Sequence, residues 1–97
     1  MEQIERFYIF SAYLNFPDMN KNEILTRVKD VVSNVLKMDA SEITDDANFV
    51  FDLGADSMQS IELVAGFEEE FGIEMDQEKA LEIQNIDDAV NFISQHL

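Results

Sequence analysis

Residues 52–58 read Asp52-Leu53-Gly54-Ala55-Asp56-Ser57-Met58 and mark the point where a long loop gives way to an amphipathic helix. Leu53 is an apolar anchor, Gly54 admits the backbone dihedrals of a tight turn, and Asp56 is a strong helix N-cap residue. Gln59 follows Asp56 at the spacing of a reciprocal capping box. Ser57 then takes the first helical position, with its hydroxyl on the rim of the domain. A phosphate attached there would lie near the positive end of the helix dipole.

Downstream, the periodicity predicts a helix from Ser57 to about Phe71 with two apolar faces. Leu63, Val64, Phe67 and Phe71 repeat at helical spacing and belong to a core. Met58, Ile61 and Ala65 follow a second stripe, bordered by Glu62, Glu68 and Glu69. An apolar strip rimmed with acids on a solvent-facing side is the pattern of a docking surface. Scattered surface residues on a small domain are the plainer alternative. Gly66 lies inside this helix beside bulky Phe67, where it makes room either for a neighbouring side chain or for a bound chain. Gly72 suits the left-handed cap that ends the helix. A short helix is expected from Gln77 to Glu82, bringing in Ala80, Leu81 and Ile83. Asn85 caps a last helix through about Gln95, with Ile86, Ala89, Val90 and Ile93 inward.

Upstream, Asn20 and Glu23 have capping-box spacing and open a helix over Lys21–Leu36. Ile24, Val28, Val31 and Val35 form its stripe, widened by Leu25, Val32 and Leu36. Its β-branched residues give poor intrinsic propensity, so packing must hold it. The connection from Met38 to Ala55 is long for a small domain, which points to a functional or well-anchored loop. Its expected anchors are Ile43, Phe49, Phe51 and Leu53. No segment alternates with period two long enough to be a strand. The expected fold is all-α, a small bundle of three main helices with a short fourth.

Residues 1–18 differ in character. Phe7, Tyr8, Ile9, Phe10, Tyr13, Leu14 and Phe16 crowd a segment with few charges. A secretory signal would want a basic start and a small-residue cleavage site, and neither is present. Pro17 separates this leader from the stretch that begins at Met19. The domain is therefore expected at 19–97, with 1–18 either a hydrophobic leader or an extra helix that packs on this or another chain.

Composition narrows the function. The formal net charge is −15, and Met38–Glu78 holds no Lys or Arg but thirteen acids, Asp56, Glu62, Glu68 and Glu69 among them. That balance argues against nucleic acid and anionic membranes and for partners with basic surfaces. With no cysteine there is no disulfide and no thiolate metal site. A calcium loop counted from Asp52 would need glycine sixth and glutamate twelfth, where Ser57 and Leu63 stand. No metal is expected. A serine nucleophile needs a base, and His96, the one histidine, lies near the C-terminus. Hydrolysis is not expected, and no residue is assigned as catalytic.

The stretch Gly54-Ala55-Asp56-Ser57-Met58, with an acidic helix after it and the same helix order on both sides, closely resembles the attachment site of acyl carrier proteins. In that family an Asp-Ser-Leu motif carries 4′-phosphopantetheine on the serine; here Met58 replaces leucine. The resemblance runs from about Asn20 to Leu97. It implies that a phosphopantetheinyl transferase moves the arm from coenzyme A to Ser57, beside Asp56 and Gly54, and that the arm's thiol carries acyl groups as thioesters to acyl-processing enzymes. It also implies shelter for the acyl chain, lined by position with Phe49, Leu63, Phe67, Ala80, Ile83 and Ala89. Many members carry an acid where this chain has Gln59, which suggests a specialised set of partners. The reading is a monomeric cytoplasmic carrier of fatty-acid or related intermediates. An aminoacyl, peptidyl or polyketide carrier is the near alternative, and an acidic interaction module with an unmodified serine is the distant one.

Overall fold

The computed structural model describes residues 20–97, and the leader expected at 1–18 lies outside the described residues. Helix α1 spans Lys21–Leu36. The Asn20 side chain accepts from the Glu23 N–H at 2.9 Å and the Glu23 carboxylate accepts from the Asn20 N–H at 3.2 Å, the expected reciprocal cap. One face buries Ile24, Val28, Val31 and Val32, while Leu25, Val35 and Leu36 are half-buried against the core. The helix ends on Lys37, the one described non-glycine residue with a positive φ, at 59°. That left-handed turn frees the Lys37 N–H to reach the Ser33 carbonyl and so satisfies one of the last carbonyls.

Helix α2 spans Ser57–Phe71 and ends on Gly72, whose φ of 64° is the left-handed conformation expected for it. The two helices run antiparallel. Val31 faces Gly66, while Arg27, four residues earlier, pairs with Glu70, four residues later, at 3.7 Å. The open question about Gly66 is answered by its neighbour: a Cβ there would stand 2.7 Å from Val31 Cγ1. Its absence lets the helices approach, at a helix-propensity cost of about 1 kcal/mol relative to alanine.

Two further helices complete the bundle: α3, Gln77–Glu82, capped by Asp76, and α4, Ile86–Gln95, capped by Asn85. Helix α4 packs on α1 and buries Ile86, Ala89, Val90 and Ile93. The interior is apolar throughout, with Phe67 and Phe71 its largest wholly buried side chains and no buried polar residue among the described ones. The all-α architecture expected from the periodicity is therefore the one observed.

The connection between α1 and α2 has more structure than its sequence suggested. Asp39 caps a 3-10 turn at Ala40–Glu42, and both the Ser41 N–H and the Ser41 hydroxyl donate to it at 3.0 Å. Those bonds hold its carboxyl below the usual carboxylate range, so the cap stays intact until the pH falls through that lowered value. Ile43 and Phe49 are buried and Leu53 is half-buried, as expected of anchors; the small Ala47 and Ala55 are buried with them.

Phe51 is not an anchor. It is 87% exposed. Residues two apart, such as Phe49, Phe51 and Leu53, share a face only in an extended chain. Here the chain turns: Asp52 N–H donates to the Asn48 carbonyl and Gly54 N–H to the Val50 carbonyl, each four residues back. On such a turn Phe49 and Leu53 share the inner side and Phe51 falls outside. Leu81 is likewise not brought in, being 75% exposed, because Ala80 and Ile83, three apart, take the inner face of the short α3.

The Gly66 contact gives a signed prediction. Gly66→Ala should lower stability by about 1–2 kcal/mol in urea unfolding, since crowding stiff, β-branched Val31 outweighs the propensity gain. A rise in stability of about 1 kcal/mol, the usual effect on an open helix, would mean that α1 and α2 do not meet there.

Candidate functional site

The start of α2 is built by a loop that a single residue ties together. Asn48 Oδ1 accepts from the Val50 and Phe51 N–H groups, each at 2.9 Å. Its carbonyl accepts from Asp52 and Leu53 N–H, each at 3.0 Å, and its own N–H donates to Asp52 Oδ2 at 2.7 Å. The same stretch is pinned to the start of α4: Phe49 N–H donates to the Gln84 carbonyl and Ile86 N–H to the Ala47 carbonyl, each at 3.0 Å, around an antiparallel bridge of Asn48 with Asn85. Ala55 N–H closes the loop on the Phe49 carbonyl at 2.8 Å, with Gly54 at φ 76° making the last bend.

That bend delivers Asp56 as N-cap. Its Oδ1 accepts from Gln59 N–H at 2.7 Å, and Gln59 Oε1 accepts from Asp56 N–H at 3.1 Å. Gln59 therefore completes the cap without adding a charge. The Asp56 carbonyl accepts both the N–H and the hydroxyl of Ser60. These bonds leave the Ser57 and Met58 N–H groups at the helix mouth with no acceptor among the described residues, aimed where an anion would sit.

Ser57 stands apart from its fellows. Of the five serines among the described residues, Ser33, Ser41, Ser60 and Ser94 each donate their hydroxyl to an internal acceptor. Ser57 is exposed, and no described group bonds its hydroxyl. A group esterified to it would break no bond of the fold, and the open helix N-terminus beside it fits a phosphodiester.

A family profile, the phosphopantetheine attachment site, matches residues 26–93. The acyl carrier protein of Guillardia theta is 48% identical over 77 residues, 79% of this chain and 95% of that protein. The chain belongs to the acyl carrier protein family. Acyl carrier protein 2, mitochondrial, of Arabidopsis thaliana is 46% identical over 87 residues, 90% of this chain and 69% of that protein. The acyl carrier protein of Thermosynechococcus vestitus is 41% identical over 76 residues, 78% of this chain and 94% of that protein. Carriers of this family hold 4′-phosphopantetheine on a serine.

The residues expected to meet partners of the carrier divide in two. Met58 and Ile61 are 64% and 66% exposed, with Glu62 and Glu69 exposed beside them. Glu68 is half-buried, and its Oε2 accepts from the Met75 N–H at 2.8 Å, tying the end of α2 to the loop that leads to α3. Of the residues expected to shelter an acyl chain, Phe49, Leu63, Phe67 and Ala89 lie in the core, with the Phe49 and Phe67 rings 6.1 Å apart and tilted. Ala80 and Ile83 are half-buried at its edge.

Sequence reasoning missed Asn48. The available signal was an Asn and an Asp four apart in a loop, both of which fold their side chains back onto nearby backbone. Asn48→Ala should cost about 1–2 kcal/mol in stability, since it strands two N–H groups of the turn. Gly54→Ala should cost about 1 kcal/mol for its positive φ alone. Chemical denaturation measures both, and wild-type stability in the Asn48 variant would show that the turn does not depend on its side chain.

Proposed function

We propose that Ser57 is the serine that carries 4′-phosphopantetheine, and that the protein carries acyl intermediates for fatty-acid or related biosynthesis. The observation that supports this most is the hydroxyl of Ser57, exposed at the first position of α2 while the other described serines are engaged. When bound, the arm supplies a thiol that holds an acyl group as a thioester. The protein's own residues supply the rest. Asp56, Gln59 and Gly54 fix the helix mouth, and the Ser57 and Met58 N–H groups there would help to hold the phosphodiester. Tethering then raises the effective concentration of the cargo for each enzyme in turn.

Partners, a phosphopantetheinyl transferase among them, would dock with basic surfaces on Met58, Ile61, Glu62 and Glu69. Glu68 contributes its charge to that face while one of its oxygens stays on Met75. Phe49, Leu63, Phe67, Ala80, Ile83 and Ala89 would part to admit an acyl chain. In this reading the chain has no catalytic residue and acts as a monomer. The names of its relatives favour acyl over aminoacyl, peptidyl or polyketide cargo. No helix among the described residues is long and apolar enough to cross a membrane. The proposed compartment is the cytoplasm; the mitochondrial relative supplies the alternative, which imaging of a C-terminal fluorescent fusion distinguishes.

Incubation with coenzyme A and a transferase should add one arm to the wild type, read by intact mass, and none to Ser57→Ala. Equal gain in both would defeat the assignment, and no gain in either is the outcome expected of an unmodified acidic module. Binding to an acyl-processing enzyme should weaken as salt rises, because exposed charges act through a screening length of about 10 Å at 0.1 M. Ile61→Ala should weaken it further with little change in unfolding, since the side chain is exposed.

A further inference from the structure

Phe51 is the most exposed of the large apolar side chains among the described residues, at 87%, and Val50 beside it is 50% exposed. Neither position is floppy. Both N–H groups are held by Asn48 Oδ1, the next residue is clamped through its carboxylate to the Asn48 N–H, and Gly54 N–H returns to the Val50 carbonyl. The ring is thus carried into water on a fixed turn. An exposed aromatic on a held backbone has only its two side-chain torsions left to order when it is covered, and such residues are the usual anchors of a protein interface.

Its place in the fold selects what covers it. The loop closes on Ala55, two residues before Ser57, so the turn that carries Val50 and Phe51 leads directly into the helix start, with Met58 and Ile61 exposed just beyond the serine. A second copy of this chain is a poor occupant, because each copy brings a net charge of −15 and Asp45, Asp46, Asp52 and Asp56 surround the loop.

We propose that Phe51 is a contact residue for the enzyme that acts at the Ser57 hydroxyl itself, a phosphopantetheinyl transferase whose surface offers an apolar pocket bordered by Lys or Arg. The inference rests on Ser57 as the attachment serine. An enzyme working at the far end of a flexible arm can keep clear of the loop. One that must bring the phosphate of coenzyme A to the serine oxygen works at the helix start, against the turn that leads into it. Phe51 then sets how well the carrier is held before transfer and leaves the transfer step alone.

The test is steady-state kinetics of a purified phosphopantetheinyl transferase with coenzyme A and four full-length carriers: wild type, Phe51→Ser, Phe51→Leu and Ser57→Ala. Phe51→Ser should raise the KM for the carrier about fivefold to tenfold with kcat nearly unchanged, the loss expected of an interface aromatic. Phe51→Leu, which keeps an apolar side chain, should recover most of it. Thermal unfolding of both Phe51 variants should match wild type, since the ring is not packed in the fold. If the wild type is modified and both Phe51 variants show its KM, the inference is overturned and the Ser57 assignment stands. If the wild type gains nothing, or Ser57→Ala gains as much, the assignment and the inference fall together.

Discussion

The bonds of Asn48 hold the functional end of this molecule in place. A connection of nearly twenty residues has no helix longer than one turn to stiffen it. What orders it is one side-chain oxygen serving two N–H groups, one carbonyl serving two more, and a carboxylate returned to the Asn48 N–H. The neighbouring bonds to Gln84 and from Ile86 fasten this turn to the start of α4, which is itself buried against α1. The position of Asp56, and with it the mouth of α2, is therefore inherited from the core through a short series of hydrogen bonds. Such an arrangement fixes the start of α2, and with it Ser57, relative to the core.

Charge and packing are separated in this fold to an unusual degree. Every described residue of the core is apolar, and the acids lie outside it. Among the described residues only Arg27 with Glu70 and Lys29 with Asp45 form ion pairs, and both cations belong to α1. The exposed side of α2 has no cation of its own to neutralise Glu62 and Glu69. Those acids repel one another and weaken the free protein slightly, as any concentrated field of one sign does. The same field would favour a basic surface over an acidic one. Stability thus rests on Phe67, Phe71 and the stripe of α1, while the charge lies on the rim.

Much of this was legible because the signals are local. Caps at Asn20, Asp56 and Asn85 and left-handed ends at Gly72 bound each helix by chemistry confined to a few neighbouring residues, and the helix bounds agree with the structure. The loop was legible only in part. Phe49 and Phe51 look alike in sequence, and which of them goes inward depends on a turn set by Asn48. Gly66 shows the same limit: its lack of a side chain is visible in the sequence, but the partner that requires it, Val31, is brought up only by tertiary packing. At the helix mouth, the reciprocal cap of Asp56 and Gln59 was readable from spacing. That the Ser57 hydroxyl holds nothing while the other described serines are engaged was not, because it is a property of every serine's surroundings together.

That last property bears on how a carrier can be loaded and unloaded without disturbing itself. A hydroxyl already donating to a cap or a carbonyl would surrender that bond on esterification, and the helix start would loosen in the modified form. Ser57 would surrender none to any described residue. The carboxylate beside it keeps its bond to Gln59 N–H, and Gln59 contributes no second charge to oppose a phosphodiester. The two helix N–H groups without acceptors then become an asset, since they face the new anion with the positive end of the helix behind them. An anion attached at this position would lie at the helix N-terminus and would displace no hydrogen bond made by a described residue.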